Sequence, residues 1–217
     1  MAHGPIFFTP DLYDYYKSIG YREPAPLAAL RLHFQDHPQA HQQTMPESAQ
    51  LLSFLVTLIR PQHILEIGTF IGYSTLAMAL AMGHTCRLTT CDINAELAAQ
   101  AQPFWEKSGR GSQITFTAGS AQETLMQMIA RHESADFVYI DANKAGYDDY
   151  YEAALQLCPI GGLIVLDNML FGGQVAHPHP PTYVQAIQHL NRKIHEDHRV
   201  DMILLPVGDG MTIVRKK

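Results

Sequence analysis

Leu65-Glu66-Ile67-Gly68-Thr69-Phe70-Ile71-Gly72-Tyr73-Ser74 is the stretch on which the fold turns. An apolar run from Ile64 to Ile67 reads as a strand, and two glycines close behind it allow a tight turn into a helix from about Ser74 to Met82. The N-terminus of a helix so placed points its free N–H groups at whatever the turn holds. The next predicted strand, Arg87–Cys91, ends at Asp92, 24 residues after Gly68. A carboxylate there can accept from both hydroxyls of a ribose, so the pair of features points to a nucleoside-containing ligand. It does not point to a dinucleotide. The residues after Gly68 are Thr69, Phe70, Ile71 and Gly72, so the second and third glycines of the pyrophosphate-binding pattern are missing. Glu66 would also repel a diphosphate while suiting a cationic ligand. A hydride-transfer enzyme is thereby disfavoured.

Outward from this turn the same grammar repeats. Strands are predicted at Ile114–Thr117, Phe137–Ile140 and Leu163–Leu166, with helices at about Ala95–Ser108, Ala121–Arg131 and Tyr147–Leu157 between them. Alternating βα units with apolar strands imply an α/β protein with a parallel sheet covered on both faces. A further helix near Thr182–His195 precedes two strands, Met202–Pro206 and Met211–Val214. Their link, Val207-Gly208-Asp209-Gly210, is short enough to require an antiparallel hairpin. Before residue 61 the chain reads as helical. Thr9-Pro10-Asp11 is a helix start, a second helix spans about Pro26 to Phe34, and a third runs from Pro46 with Leu51, Leu52, Leu55, Leu58 and Ile59 on one stripe until Pro61. The expected organisation is a helical extension over residues 1–60 and a ligand-binding domain over 61–217.

Composition removes several classes. The 217 residues are 47% hydrophobic and 17% charged, an ordinary globular balance. A formal net charge of −6 is the wrong sign for a nucleic-acid binder, and Arg215-Lys216-Lys217 reads as a solvated chain end. No apolar run approaches the roughly 20 residues of a membrane span, and the start of the chain lacks a basic, then apolar leader. A cytoplasmic protein is expected. Its three cysteines are read as reduced thiols, Cys86 and Cys91 on opposite faces of one strand. His177-Pro178-His179 reads as a surface loop.

The strand ends also gather acids. The fourth strand finishes in Asp141-Ala142-Asn143-Lys144 and the fifth in Asp167-Asn168. In a doubly wound sheet the first, fourth and fifth strands are neighbours, so these groups share one cleft. A lone strand-end Asp also serves as a helix cap. Two acidic ends side by side favour a hard-cation site instead, in which Asp141, Asp167 and Asn168 give oxygen donors for magnesium, manganese or calcium rather than zinc.

Taken with Thr44-Met45-Pro46-Glu47 and Leu205-Pro206-Val207-Gly208-Asp209-Gly210-Met211-Thr212, these motifs resemble the cation-dependent O-methyltransferases of the caffeoyl-coenzyme-A and catechol types. The resemblance runs in order through the chain after about residue 40. It implies a Rossmann-like class I methyltransferase fold of seven strands and a homodimer. It further implies that Glu66 and the backbone of Gly68 and Thr69 meet S-adenosylmethionine, with Ser74 near its carboxylate, Asp92 on its ribose and Ala121 beside its adenine. Thr44 or Met45 would close the site, and Asp141 and Asn143 would add cofactor contacts. Asp141, Asp167 and Asn168 would hold the divalent cation, and Lys144 would be the base. The alternative for Lys144 is a salt bridge to Asp148 or Asp149.

Two positions depart from the plant members. Asn143 stands where they carry a second acid, and Phe171-Gly172 stands where a tryptophan and an asparagine meet the substrate. Those departures place the chain nearer bacterial relatives of broader phenolic scope. The expected activity is methylation of one hydroxyl of a vicinal diphenol, such as a hydroxycinnamoyl derivative or a flavonoid. A non-catalytic nucleoside-binding protein on the same fold is the alternative, although such a module would need neither the metal ligands nor Lys144.

Overall fold

The computed structural model describes residues 8–217. Three helices come first: α1 (Pro10–Ile19), α2 (Ala25–His33) and α3 (Pro46–Ile59). Alternation then begins with β1 (His63–Ile67), α4 (Tyr73–Ala81), β2 (Arg87–Asp92), α5 (Ala95–Lys107) and β3 (Ile114–Ala118). It continues through α6 (Ala121–Ala130), β4 (Phe137–Ile140), α7 (Tyr147–Leu157) and β5 (Leu163–Leu166). The chain closes with α8 (Thr182–Glu196), β6 (Val200–Leu205) and β7 (Met211–Lys216). Thr9 caps α1 as its sequence suggests, accepting from the Leu12 amide at 3.3 Å.

The seven strands form one sheet in the order β3-β2-β1-β4-β5-β7-β6. The first five are parallel, and β7 pairs antiparallel with β5 on one side and β6 on the other. The predicted hairpin is present, but its second strand is the inner one and β6 is the edge. Register brings Ile67 beside Ile140, and Ile140 beside Leu166. Gly68, Asp141 and Asp167 therefore leave the sheet at one level. That alignment creates the cleft.

Period-two alternation divides the core between the two faces. Leu65, Ile67, Val138, Ile140, Ile164 and Leu166 pack under α6, α7 and α8. Ile64, Phe137, Tyr139, Leu163 and Val165 pack under α3 and α4. Cys91 belongs to the first face and Cys86 to the second, and all three thiols are buried and unpaired. Helix α3 thus helps to cover the sheet, through Leu52 and Val56.

Two sequence expectations need correction. The buried face of α3 carries Ser48, Ala49, Leu52 and Val56, whereas Leu58 is 62% exposed. The periodicity was diluted because α3 is apolar on more than one side, and packing against the sheet chose the face. The basic tail is a solvated end only in part: Arg215 and Lys217 are exposed, but Lys216 is not. Arg215 and Lys216 lie in β7, and the Lys216 ammonium donates to the carbonyls of Leu155 at 2.8 Å and Cys158 at 2.9 Å. It thereby serves the unsatisfied C-terminal carbonyls of α7.

The glycine turn is shaped by its neighbours. Gly68 has φ +99°, and a β-carbon there would collide with the carbonyl oxygen of Asp141. Gly72 has φ +68°, and a β-carbon would run into the Trp105 indole, whose Nε1 donates to the Gly72 carbonyl at 3.3 Å. Close packing accounts for both glycines before any ligand is considered. Gly68→Ala is expected to lower unfolding free energy by about 2–4 kcal/mol, through overpacking against rigid backbone and a strained φ. Gly83, where a β-carbon meets nothing within 4 Å, is the control; urea denaturation should show Gly83→Ala close to wild type. Equal stability of the two variants would contradict the packing account.

Candidate active site

The floor of the cleft is acidic and buried. Glu66 shares a strand face with Ile64 and so points toward α4, where Ser74 Oγ donates to its Oε1 at 2.6 Å and Thr75 donates to its Oε2. It has no solvent exposure. Burial is the main force on its carboxyl and pushes it up to about 7, against the pull of the hydroxyl donors. Thr69 Oγ1 and Thr90 Oγ1 lie 2.6 Å apart beside it.

Asp92, expected to face a ribose, stands at the end of β2 and braces the glycine turn. Its Oδ2 accepts from the amides of Thr69 at 2.9 Å and Phe70 at 2.8 Å, and its Oδ1 accepts from Asn94 at 2.9 Å. One carboxylate therefore ties the glycine turn to the second strand. This bracing role was not foreseen, because the sequence gives the spacing of Asp92 but not the direction in which the turn's N–H groups point. Ala121 opens α6 at the end of β3, and Met45 precedes α3, where the hairpin turn at Gly208 packs against Ser48 and Met45.

The second half of the site surrounds Lys144. Its ammonium donates to Asp141 Oδ1 at 2.9 Å, Asn168 Oδ1 at 2.5 Å and the Tyr147 hydroxyl at 2.6 Å. Asp148, its suggested alternative partner, is held by Lys193 at 2.7 Å instead. Asp167 is 3% exposed and accepts from the Asn168 amide at 2.7 Å and the Tyr139 hydroxyl at 2.6 Å. Burial and then the charge of Asp141 raise its carboxyl above the usual carboxylate range, opposed by those donors and by Lys144. Burial likewise pushes the phenols of Tyr139 and Tyr147 well up. Neither tyrosine was singled out from the sequence, since an aromatic in an apolar strand or in a first helical turn reads as core.

Asp141, Asp167 and Asn168 are thus brought together, and the ammonium of Lys144 already occupies a point where two of them converge. Among the described residues no group of three or more His, Cys, Asp and Glu side chains is placed to hold a metal. The set here has two carboxylates and one amide oxygen. Asn143 caps the short turn carrying Lys144, its side chain accepting from the Ala145 amide at 3.2 Å. Phe171 stands over Tyr183 in an edge contact with ring centroids 5.6 Å apart, and the Gly172 amide donates to Asp209. The loop after β5 is so joined to the hairpin.

A nucleotide-type turn beside a buried acid pair, at the carboxyl ends of a seven-stranded sheet, defines a methyltransferase-like site. A family model described as O-methyltransferase matches residues 17–217, and the chain belongs to that family. Caffeoyl-CoA O-methyltransferase 1 of Nicotiana tabacum is 36% identical over 228 residues, covering 100% of this chain and 95% of its own. An SAH-bound methyltransferase of Podospora anserina superposes with a TM-score of 0.87 at 26% identity over the full length of both chains. The O-methyltransferase of Bacillus cereus, solved with SAH, gives 0.85 at 26% identity, covering 94% of this chain and 96% of its own. The dehydrogenase reading is set aside. Among the described residues no helix is long and apolar enough to cross a membrane.

The buried Glu66 carries a stability signature. An acid whose carboxyl rises from 4.5 unfolded to about 7 folded keeps its proton longer in the native state. Between those values the native state binds more protons, so stability falls as pH rises through the window. Glu66→Gln should flatten that decline between about pH 4.5 and 7 in urea titrations. A variant with the same slope as wild type would assign the decline to other groups.

Proposed function

We propose that this chain transfers a methyl group from S-adenosylmethionine to one hydroxyl of a vicinal diphenol, with a divalent cation in the site. The observation that carries this reading is the meeting of Asp141 and Asn168 on the Lys144 ammonium, beside the buried Asp167. An oxygen-only donor set around a positive centre fits magnesium, manganese or calcium. When bound, such a cation supplies the charge that makes a coordinated phenol acidic near neutral pH.

The chain's own residues divide the remaining work. Glu66 gives the cofactor pocket a polar, cation-compatible floor beneath Gly68 and Thr69. Asp92 orders the turn and keeps lone pairs for ribose hydroxyls. Thr44 and Met45 close the pocket from the α3 side, Ser74 reaches toward the cofactor's carboxylate, Ala121 lies beside the adenine, and Asp141 and Asn143 complete the wall. Lys144 Nζ, fixed by Tyr147, takes the phenolic proton when it is the neutral amine, or as the ammonium holds the phenolate oxygen in line with the methyl group. Alignment of oxygen, carbon and sulfur in one rigid cleft supplies much of the rate. Phe171 and Gly172 border the acceptor, and the diphenol is a hydroxycinnamoyl derivative or a flavonoid. A homodimer is part of the same reading.

Three outcomes are expected in a methylation assay on a simple catechol. EDTA abolishes turnover and magnesium or manganese restores it, while S-adenosylmethionine binding measured by calorimetry persists. Lys144→Met lowers kcat by roughly 10²–10⁴, the share of general-base catalysis, with cofactor affinity little changed. The loss shrinks on more acidic phenols. Full turnover by chelated, metal-free protein would overturn the cation reading, and a Lys144→Met kcat within threefold of wild type would remove Lys144 from the proton transfer.

A further inference from the structure

Tyr139 is the one polar side chain in the middle of β4, a strand otherwise made of Phe137, Val138 and Ile140. It has no exposure and sits with Phe137, Leu163 and Val165 on the α3–α4 face. Phenylalanine would fill that space equally well, and a buried hydroxyl without a partner costs about 1–3 kcal/mol. The hydroxyl is therefore retained for its contacts. Period-two geometry puts Tyr139, Asp141 and Asp167 on a common face, because Tyr139 pairs with Val165 and Ile140 with Leu166.

The contacts are specific. The Tyr139 hydroxyl lies 2.6 Å from Asp167 Oδ2 and 3.5 Å from Asp141 Oδ2. Thr44, from the segment before α3, lies beside the same hydroxyl. Lys144 fixes Asp141 and Asn168 but makes no hydrogen bond to Asp167. With Asp167 Oδ1 taken by the Asn168 amide at 2.7 Å, the rotation of the carboxylate depends on Tyr139 for its second anchor.

We propose that Tyr139 is a positioning residue for the acid pair: its hydroxyl locks the Asp167 carboxylate in the orientation that receives a divalent cation. The proposal rests on the cation reading above. It treats Tyr139 as the outer-shell partner that orients a ligand, a role whose loss typically costs 10–100-fold in metal affinity.

The test is calorimetric titration of the full chain with Mn²⁺. Wild type should bind, and failure to bind would overturn the cation reading itself. Tyr139→Phe should raise the Mn²⁺ Kd roughly 10–100-fold. Its S-adenosylmethionine affinity in EDTA should stay near wild type, a readout that a purely structural role would move. Unchanged Mn²⁺ affinity in Tyr139→Phe overturns the proposal while leaving the cation reading intact. If Tyr139→Phe does not fold, 4-fluorophenylalanine incorporated at position 139, which fills the space of the hydroxyl without a donor, decides: a loss of cation affinity supports the role, and wild-type affinity overturns it.

Discussion

The site depends on the close approach of two backbones, Gly68 at the end of β1 and the carbonyl of Asp141 at the end of β4. No side chain fits between them. Because they touch, the glycine turn and the first acid of the pair emerge at one depth, and the amide of Asp141 is held by the Ile67 carbonyl at 2.8 Å. The glycine-turn half and the acid-pair half of the cleft are therefore not separate modules placed side by side. They share a strand boundary, and a shift in one displaces the other.

Around this boundary the protein concentrates acids where water is scarce. Glu66 and Asp167 are both buried. Burying a carboxylate is costly unless donors or opposite charge meet it, and each is met differently: Glu66 by two hydroxyls of α4, Asp167 by a phenol and an amide. Only Asp141 is paired directly with an ammonium, that of Lys144. The arrangement sets an ion pair beside two carboxyls that burial pushes toward their protonated forms.

Much of this was legible in the chain. The Gly68 turn, Asp92, and the Asp141 and Asp167 strand ends follow from spacing and from the rule that parallel sheets bind at their carboxyl ends. Three things were not legible. Leu58 belongs to an apolar helix whose buried face is chosen by the sheet it meets. Lys216 looks like a loose cation until β7 is seen beside the end of α7. Tyr139 is indistinguishable from a core aromatic until register places Asp167 next to Asp141. In each case a long-range contact, absent from local pattern, selects among readings that the sequence leaves equal.

The inner position of β7 has a consequence for how the protein is made. A ribosome delivers β6 before β7, yet β6 has no other neighbour in the sheet and β5 has no other partner on that side. Until Met211–Lys216 emerges, the nascent chain carries an open parallel edge at β5, rich in Leu163, Ile164, Val165 and Leu166, and an orphan strand beyond it. Such an edge is a template for pairing with other chains. The interval between synthesis of β5 and threading of β7 is the period in which this protein is most exposed to aggregation, and chaperone demand should be greatest there.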